Sequence, residues 1–459
     1  MRATVCTFVV LAAAFTGPLS AQGAAPTPDD VEQRLRSLEQ RLAAAEAQAR
    51  AREAAAANAG EKGFGLRSAD GTFEFKFRGL VQFDGRFFAD DEQGLNDTWL
   101  LRRVEPTFEL TVGKLGYMKI QPQFAGDAAG TSDVYGELRF DPAATLRFGK
   151  FKAPFGLENL QGAGALAFLE RGYPTETGAG RDLGLQLQGE LFAGTTSYAL
   201  AWINGSPDGR DAASSDSDNK KELAARLFVE PFRNTPGLLR GLGVGIAATQ
   251  GSKAGAVASS LGTTTATFNN TLPRYRSPGQ NTIFSYLIPT SGTPTAADTV
   301  VAAGDHTRLS PQLYFYGGRF GLLAEQVSTE QDVSINNVAD TFEHRAWQAV
   351  ASFVVTGEDA SYKGVRPGAP YAVGGPGWGA FEIALRHGVL DIDDDVFPAY
   401  ADPTKSVSEA ATTGVALNWY LSTNLRASLD YEATRFDGGA ATGDRLDEKA
   451  LLARLQLSF

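Results

Sequence analysis

Arg102 and Arg103 stand side by side in Trp99-Leu100-Leu101-Arg102-Arg103-Val104-Glu105-Pro106. A desolvated arginine pair can hold an oxyanion bidentately. Just downstream, Phe108, Leu110 and Val112 alternate with Glu109 and Thr111. Arg103 falls on the polar parity and Arg102 on the apolar one. A charge left on an apolar face is costly, so Arg102 calls for a place at a rim or for a local bulge that re-aims it. Both arginines could also be ordinary lining paired with acids such as Asp133 or Glu137.

Other residue types give little chemistry. His306, His344 and His387 are scattered without ligand spacing, so no metal site is expected. The acidic run Asp391-Ile392-Asp393-Asp394-Asp395 lacks the glycine and distal glutamate of an EF-hand loop and reads as a solvated loop. No phosphate-cradling Walker sequence and no Gly-x-Ser-x-Gly elbow is present. Neither an enzyme nor a cofactor is expected.

The elements that would carry the arginines are strands. Phe73, Phe75, Phe77, Val81 and Phe83 share one parity; Glu74, Lys76, Arg78, Gln82, Asp84 and Arg86 share the other. The pattern returns at Leu138/Phe140 against Glu137/Arg139, at Phe381/Ile383/Leu385 against Glu382/Arg386, and at Leu425/Ala427/Leu429/Tyr431 against Arg426/Ser428/Asp430/Glu432. Charge at this density cannot fill a soluble sandwich. A membrane barrel places the apolar parity against lipid and the polar parity in a wet lumen, and closure removes every sheet edge. Leu451, Ala453, Leu455, Leu457 and Phe459 end the chain in phase with the lipid face, as an assembly signal would. No later run of about 18 apolar residues suggests a membrane helix. The reading is all-β: a transmembrane antiparallel β-barrel over residues 65–459. About 390 residues at roughly 24 per strand and connection give about 16 strands, with 14 or 18 as alternatives. Polar loops at 205–221, 251–271, 289–306 and 356–378 are expected together on the extracellular side.

Residues 1–21 read as a signal peptide: Arg2, an apolar stretch from Val5 to Phe15, and Leu19-Ser20-Ala21 as a cleavage site. The only cysteine, Cys6, lies within it. Export leaves 41 Lys+Arg against 53 Asp+Glu, a net charge of −12, which disfavours nucleic acid as a partner. Val31, Leu35, Leu38, Leu42, Ala45 and Ala49 form a heptad seam, so residues 29–57 are expected to be a periplasmic coiled-coil segment, with a single helix or a tether as alternatives. Asn58-Ala59-Gly60 stops it.

Longer motifs carry a resemblance. These are Gly79-Leu80-Val81-Gln82-Phe83-Asp84, Trp99 to Pro106, Phe148 to Glu158 (Phe-Gly-Lys-Phe-Lys-Ala-Pro-Phe-Gly-Leu-Glu), Phe168-Leu169-Glu170-Arg171, Gly180 to Gly184, Thr356 to Gly364 and Gly377 to Glu382. The chain resembles the phosphate-selective porin O and P family over roughly residues 65–459. The resemblance implies a homotrimer of 16-stranded outer-membrane barrels in a Gram-negative envelope. The segment after Lys150-to-Glu158 would fold inward as a constriction. It implies passive diffusion of small anionic solutes, with outer-membrane lipid and, through the last strand, the barrel-assembly machinery as partners. By the same resemblance the anion site would comprise Arg86, Arg102, Arg103 and Arg171, with Lys119 and Asp133. Two departures stand out: Asn159 occupies a lysine position and Gly162-Ala163 a serine pair. Strong phosphate selectivity is therefore not expected, and a general or cation-tolerant pore, or a structural envelope protein anchored by the N-terminal coil, stays as an alternative.

Overall fold

The computed structural model describes residues 28–89, 94–126, 129–216, 218–257, 269–289 and 294–459. The expected signal peptide lies outside them. The chain divides into two units, Met1–Ala54 and Ala55–Phe459. Within the first, helix α1 (Pro28–Ala56) covers the heptad segment and runs just past the unit's end. Val31, Leu35, Leu38 and Leu42 on its seam are all exposed.

The second unit is a closed barrel of sixteen antiparallel strands. The first eight are β1 (Phe73–Ala89), β2 (Thr98–Val112), β3 (Gly116–Gln123), β4 (Gly130–Asp141), β5 (Ala144–Lys152), β6 (Arg181–Leu191), β7 (Thr196–Ile203) and β8 (Glu222–Val229). The rest are β9 (Leu242–Ala254), β10 (Val301–Gly317), β11 (Phe320–Ile335), β12 (Val338–Val354), β13 (Ala380–Asp391), β14 (Val407–Tyr420), β15 (Leu425–Gly438) and β16 (Glu448–Ser458). Each pairs with its neighbour in sequence, and β16 closes onto β1 from Lys449↔Ala89 to Ser458↔Leu80. A short hairpin, Asn58–Gly60 with Gly63–Arg67, continues the sheet beside the first half of β1, at Phe64↔Phe77.

Burial is inverted relative to a soluble protein. Leu185, Leu187, Leu200, Trp202, Ile383, Leu385, Leu429, Leu455 and Leu457 are exposed on the outside, while Gln82, Glu137, Gln186, Glu382, Arg386, Asp430 and Arg454 are buried inside. That is what the alternation requires of a wall between lipid and lumen. The terminal Phe459 exchanges two 3.0 Å backbone hydrogen bonds with Gly79. Its ring lies against Phe64 and Phe77, with centroids 5.9 and 5.5 Å away. A Cβ on Gly79 would come within 2.6 Å of that ring, so the glycine makes room for the C-terminus.

The loops differ from expectation in one respect. Turns 113–115, 142–143, 192–195, 318–319 and 421–424 share one end with the C-terminus; connections 153–180, 204–221 and 255–300 share the other. The loops expected at 251–271 and 289–306 are the two flanks of the 255–300 connection. The loop expected at 356–378, however, emerges at the short-turn end, as connection 355–379. Composition marks a loop, but the number of crossings before it decides its end. The count turns on a two-residue hairpin, Asn336-Asn337, at φ of 52° and 64°, a left-handed pair suited to a tight type I′ turn.

The lumen is partly filled. The 255–300 connection carries a small hairpin, Arg274–Arg276 with Thr282–Ser285. Its Tyr275, Ile283 and Phe284, with Tyr286, pack on Tyr173, Phe342, Leu390, Val407 and Phe436.

Candidate constriction and its charged lining

Residues 153–180 leave β5 and fold into the barrel as three short turns, Leu157–Leu160, Ala163–Ala165 and Tyr173–Glu176. A segment without regular structure inside a wall must find partners for its backbone, and lumenal side chains supply them. Glu325 accepts from the Leu157 and Glu158 amides at 2.5 and 3.0 Å, and Asp430 from the Leu169 amide at 2.5 Å. Arg454 donates to the Leu169 carbonyl (2.9 Å), Arg386 to that of Glu170 (2.8 Å), and Asn418 to that of Ala167 (2.9 Å). From the short-turn end, the Tyr362 hydroxyl donates to the Leu157 carbonyl at 2.6 Å, and Gln161 donates to the Tyr362 carbonyl at 2.7 Å. The 355–379 connection therefore folds inward too and braces the first.

Two of the expected site residues converge on one carboxylate. Arg102 holds Glu170 through Nε at 2.6 Å and a terminal nitrogen at 2.9 Å, and Arg86 reaches it at 3.0 Å. The bulge that Arg102 requires is present: Gln82 pairs with Arg103 and Phe83 with Leu101, leaving Arg102 without an opposite residue. Burial raises the proton affinity of Glu170, but Arg102, Arg103 and Arg454 hold its carboxyl well below the usual range. Arg103 donates to the neutral Gln82 side chain at 2.7 Å. Arg171 donates to the Glu158 and Gln161 carbonyls at 3.1 and 2.9 Å. Burial, partly offset by Glu158, and the like charges of Arg181 and Arg102 push its pKa down. Arg171 thus stands within electrostatic reach of both.

Lys119 and Asp133 form a separate pair at 2.6 Å, shared with Arg181 at 2.7 Å. At Asn159, Lys152 from the end of β5 bonds the Asn159 carbonyl and, at 3.1 Å, that of Gln161. A Cβ at Gly162 would meet nothing within 4 Å, so the space there is open.

The sequence reading missed several residues. Arg454 makes a two-pronged pair with Asp84 at 2.7 and 2.6 Å, Arg386 pairs with Glu432, and Arg426 donates to Ser428 and Asn418. All lie on strands whose polar parity was visible, so parity marks them as lumenal; only their partners lacked a signal. Arg226 was unmarked as well. Two cavities, of about 580 and 470 Å³, meet at Leu160, Glu190, Ser197 and Arg226 on the side of the lumen away from this cluster.

The remaining candidates go elsewhere. His306 and His344 are buried, against Asp208 (3.1 Å) and Tyr286 (2.9 Å), while His387 faces outward on Thr413. Asp393 accepts from the Asp395 and Glu343 amides. Among the described residues no group of three or more His, Cys, Asp or Glu is placed to hold a metal ion.

A closed sixteen-stranded wall, apolar outside and charged inside, with a segment folded across its lumen, defines an outer-membrane porin, a channel rather than an enzyme. Residues 75–459 match the phosphate-selective porin O and P family, and the chain belongs to that family. Among solved structures, the channel DcaP of Acinetobacter baumannii shares the fold at 11% identity and a TM-score of 0.53, over 86% of this chain and 99% of that one. An anion-selective porin from Comamonas acidovorans does so at 10% identity and 0.52, over 84% and 100%. OmpT of Vibrio cholerae, in its trimer form, does so at 10% and 0.51, again over 84% and 100%. A search of curated proteins gave no match.

Proposed function

We propose that this porin passes small anions by diffusion, with a modest preference for anions over cations and no tight capture of phosphate. The observation that carries the reading is the partner set at the constriction. Arg103, Lys152 and Arg171 bond amide or carbonyl oxygens, so none of the three is hydrogen-bonded to a carboxylate. Rings of such charge favour anions. Arg86 and Arg102 share Glu170, and Lys119 shares Asp133 with Arg181; these residues shape the eyelet more than they charge it. Those compensated groups support a second reading, a general pore. Phosphate would find open space rather than hydroxyl donors beside Gly162-Ala163, and each missing charged hydrogen bond costs about 1.5–3 kcal/mol.

Zero-current potential across a planar bilayer in a KCl gradient tests the reading. A potential of anion sign is expected, with phosphate blocking chloride current only at millimolar concentration. Cation sign, or half-block at micromolar phosphate, would overturn it.

The same reading takes residues 1–21 as a signal peptide and α1 as a periplasmic coiled coil of a homotrimer. Phe459 is the signal read by the barrel-assembly machinery. The seam left exposed on α1 and the aromatic seat of Phe459 support these assignments.

A further inference from the structure

We propose that the short-turn side of the lumen holds a binding station for planar aromatic carboxylates, with Arg226 as the carboxylate ligand and the Tyr314–Tyr362 pair as the ring platform. The proposal rests on the anion-conducting reading above.

Arg226 stands out among the lumenal arginines. Its Nε donates to Gln312 Oε1 at 3.0 Å, and its guanidinium carbon lies 4.5 Å from the Phe228 ring centroid. It forms no ion pair, and its terminal nitrogens have no hydrogen-bond partner among the described residues. Every other arginine named at the constriction bonds through its terminal nitrogens to a carboxylate, an amide or a backbone carbonyl. Arg226 therefore offers a free edge of its fork at the place where the two cavities meet. A planar carboxylate matches that edge bidentately.

What surrounds the fork selects the rest of the ligand. Tyr314 and Tyr362 stack with centroids 5.3 Å apart and planes 28° apart, and Phe228 lies 5.0 Å from Tyr314. Leu157 and Leu160 of the infolded segment complete the wall. Tyr362 is held in place by its 2.6 Å bond to the Leu157 carbonyl. A hydrated inorganic anion gains nothing from such a surface, whereas an aromatic ring can stack on it. The acids at the cavity do not cancel Arg226: Glu230 is paired with Arg233 at 3.1 Å, and Glu190 is exposed at the edge.

The test is block of chloride current in planar bilayers by benzoate, with acetate as the ring-less control. Benzoate is expected to half-block at a concentration about tenfold or more below acetate, since a stacked ring adds to the shared carboxylate contact. Arg226→Gln should raise the benzoate half-block about tenfold or more, and Tyr314→Leu should bring benzoate toward acetate. Heat-modifiable gel migration confirms that each variant is folded. Equal block by benzoate and acetate, or an Arg226→Gln channel that responds like the parent, overturns the station. A cation-selective parent channel that benzoate still blocks through Arg226 leaves the station standing and removes the anion-conducting reading alone.

Discussion

The two sides of the lumen differ in one arginine, Arg226, more than in the number they carry. On the arc from β13 through β16 to β2, Arg86, Arg102, Arg386 and Arg454 each bond an acid, and Arg386, Arg426 and Arg454 also bond carbonyls of the infolded segment. On the opposite arc, Arg147 shares Glu137 with Arg139 and Arg308 is held between Asp208 and Glu222, while Arg226 alone of these stands without a carboxylate. The first wall uses its arginines as brackets for the infolded segment; the second also pairs Arg147 and Arg308 with acids but leaves Arg226 facing the cavities. An arginine count therefore says little about the field an ion meets. What each guanidinium is bonded to says much more, because a buried pair contributes position and little net charge.

The sharpest way to break this contrast is to remove the carboxylate that two brackets share. Glu170→Gln would leave the half-buried Arg86 and Arg102 without this counter-charge, at a cost below the roughly 3–5 kcal/mol of breaking a fully buried pair. Heat-modifiable migration on gels should therefore shift to markedly lower temperature. Where the variant folds, its zero-current potential should move toward the anion side. An unchanged transition temperature would show that Glu170 does not hold the segment in place.

A gentler perturbation is pH. Glu176, in the last turn of the infolded segment, is pushed up to about 7 by burial, partly offset by Arg210 and Arg276. Its folded-state affinity for a proton exceeds the unfolded one, so its contribution is fully present below its ordinary value of 4.5. That contribution is lost as pH rises through about 7. Glu170 has the opposite sign: its depressed pKa stabilises above the ordinary carboxylate range, and that contribution is lost as pH falls below it. Glu176 should therefore add a slope of this sign to the segment's stability between about pH 5 and 8. Glu176→Gln should flatten the dependence of the heat-modification temperature across that window; a parallel curve would refute the assignment.

Smaller still is the effect expected at the brace. Tyr362→Phe removes one hydroxyl bond to the Leu157 carbonyl, worth about 1 kcal/mol. It keeps the ring that stacks on Tyr314. Open-channel current noise should rise with mean conductance nearly unchanged; a collapse of conductance would mean that the 355–379 connection gates the pore outright.

Much of this was legible in the sequence. Parity alone put Arg103, Arg386 and Arg426 in the lumen, and the conflict between Arg102 and its neighbours left a rim position or a bulge, of which the register shows the bulge. The alternation of apolar and charged residues foretold the closed wall. The counter-charges were not legible: Glu170 lies 84 residues from Arg86 and 68 from Arg102, and no local pattern links them. Arg226 was silent for a related reason. Its distinction is the lack of a paired carboxylate, which only the packed lumen reveals. The misplaced 355–379 connection shows a third limit, because loop composition carries no information about strand direction.

The smallest effect on the pore is expected from the part of the chain furthest from this contrast. Deleting residues 29–57 should leave single-channel conductance and zero-current potential unchanged. The barrel closes without that segment, since β16 pairs along β1 and Phe459 seats against Gly79, Phe64 and Phe77. No lumenal bond described for the constriction involves α1. The helix has a different problem to solve. Its Val31, Leu35, Leu38 and Leu42 are exposed in the single chain, and on the proposed coiled-coil reading that seam would be buried against other copies. The deletion should then show in assembly: the trimer band in mild detergent should dissociate at lower temperature than the parent's while each barrel stays folded. Unchanged trimer stability would remove the coiled-coil assignment, and lost conductance from a folded barrel would show that the segment reaches the pore.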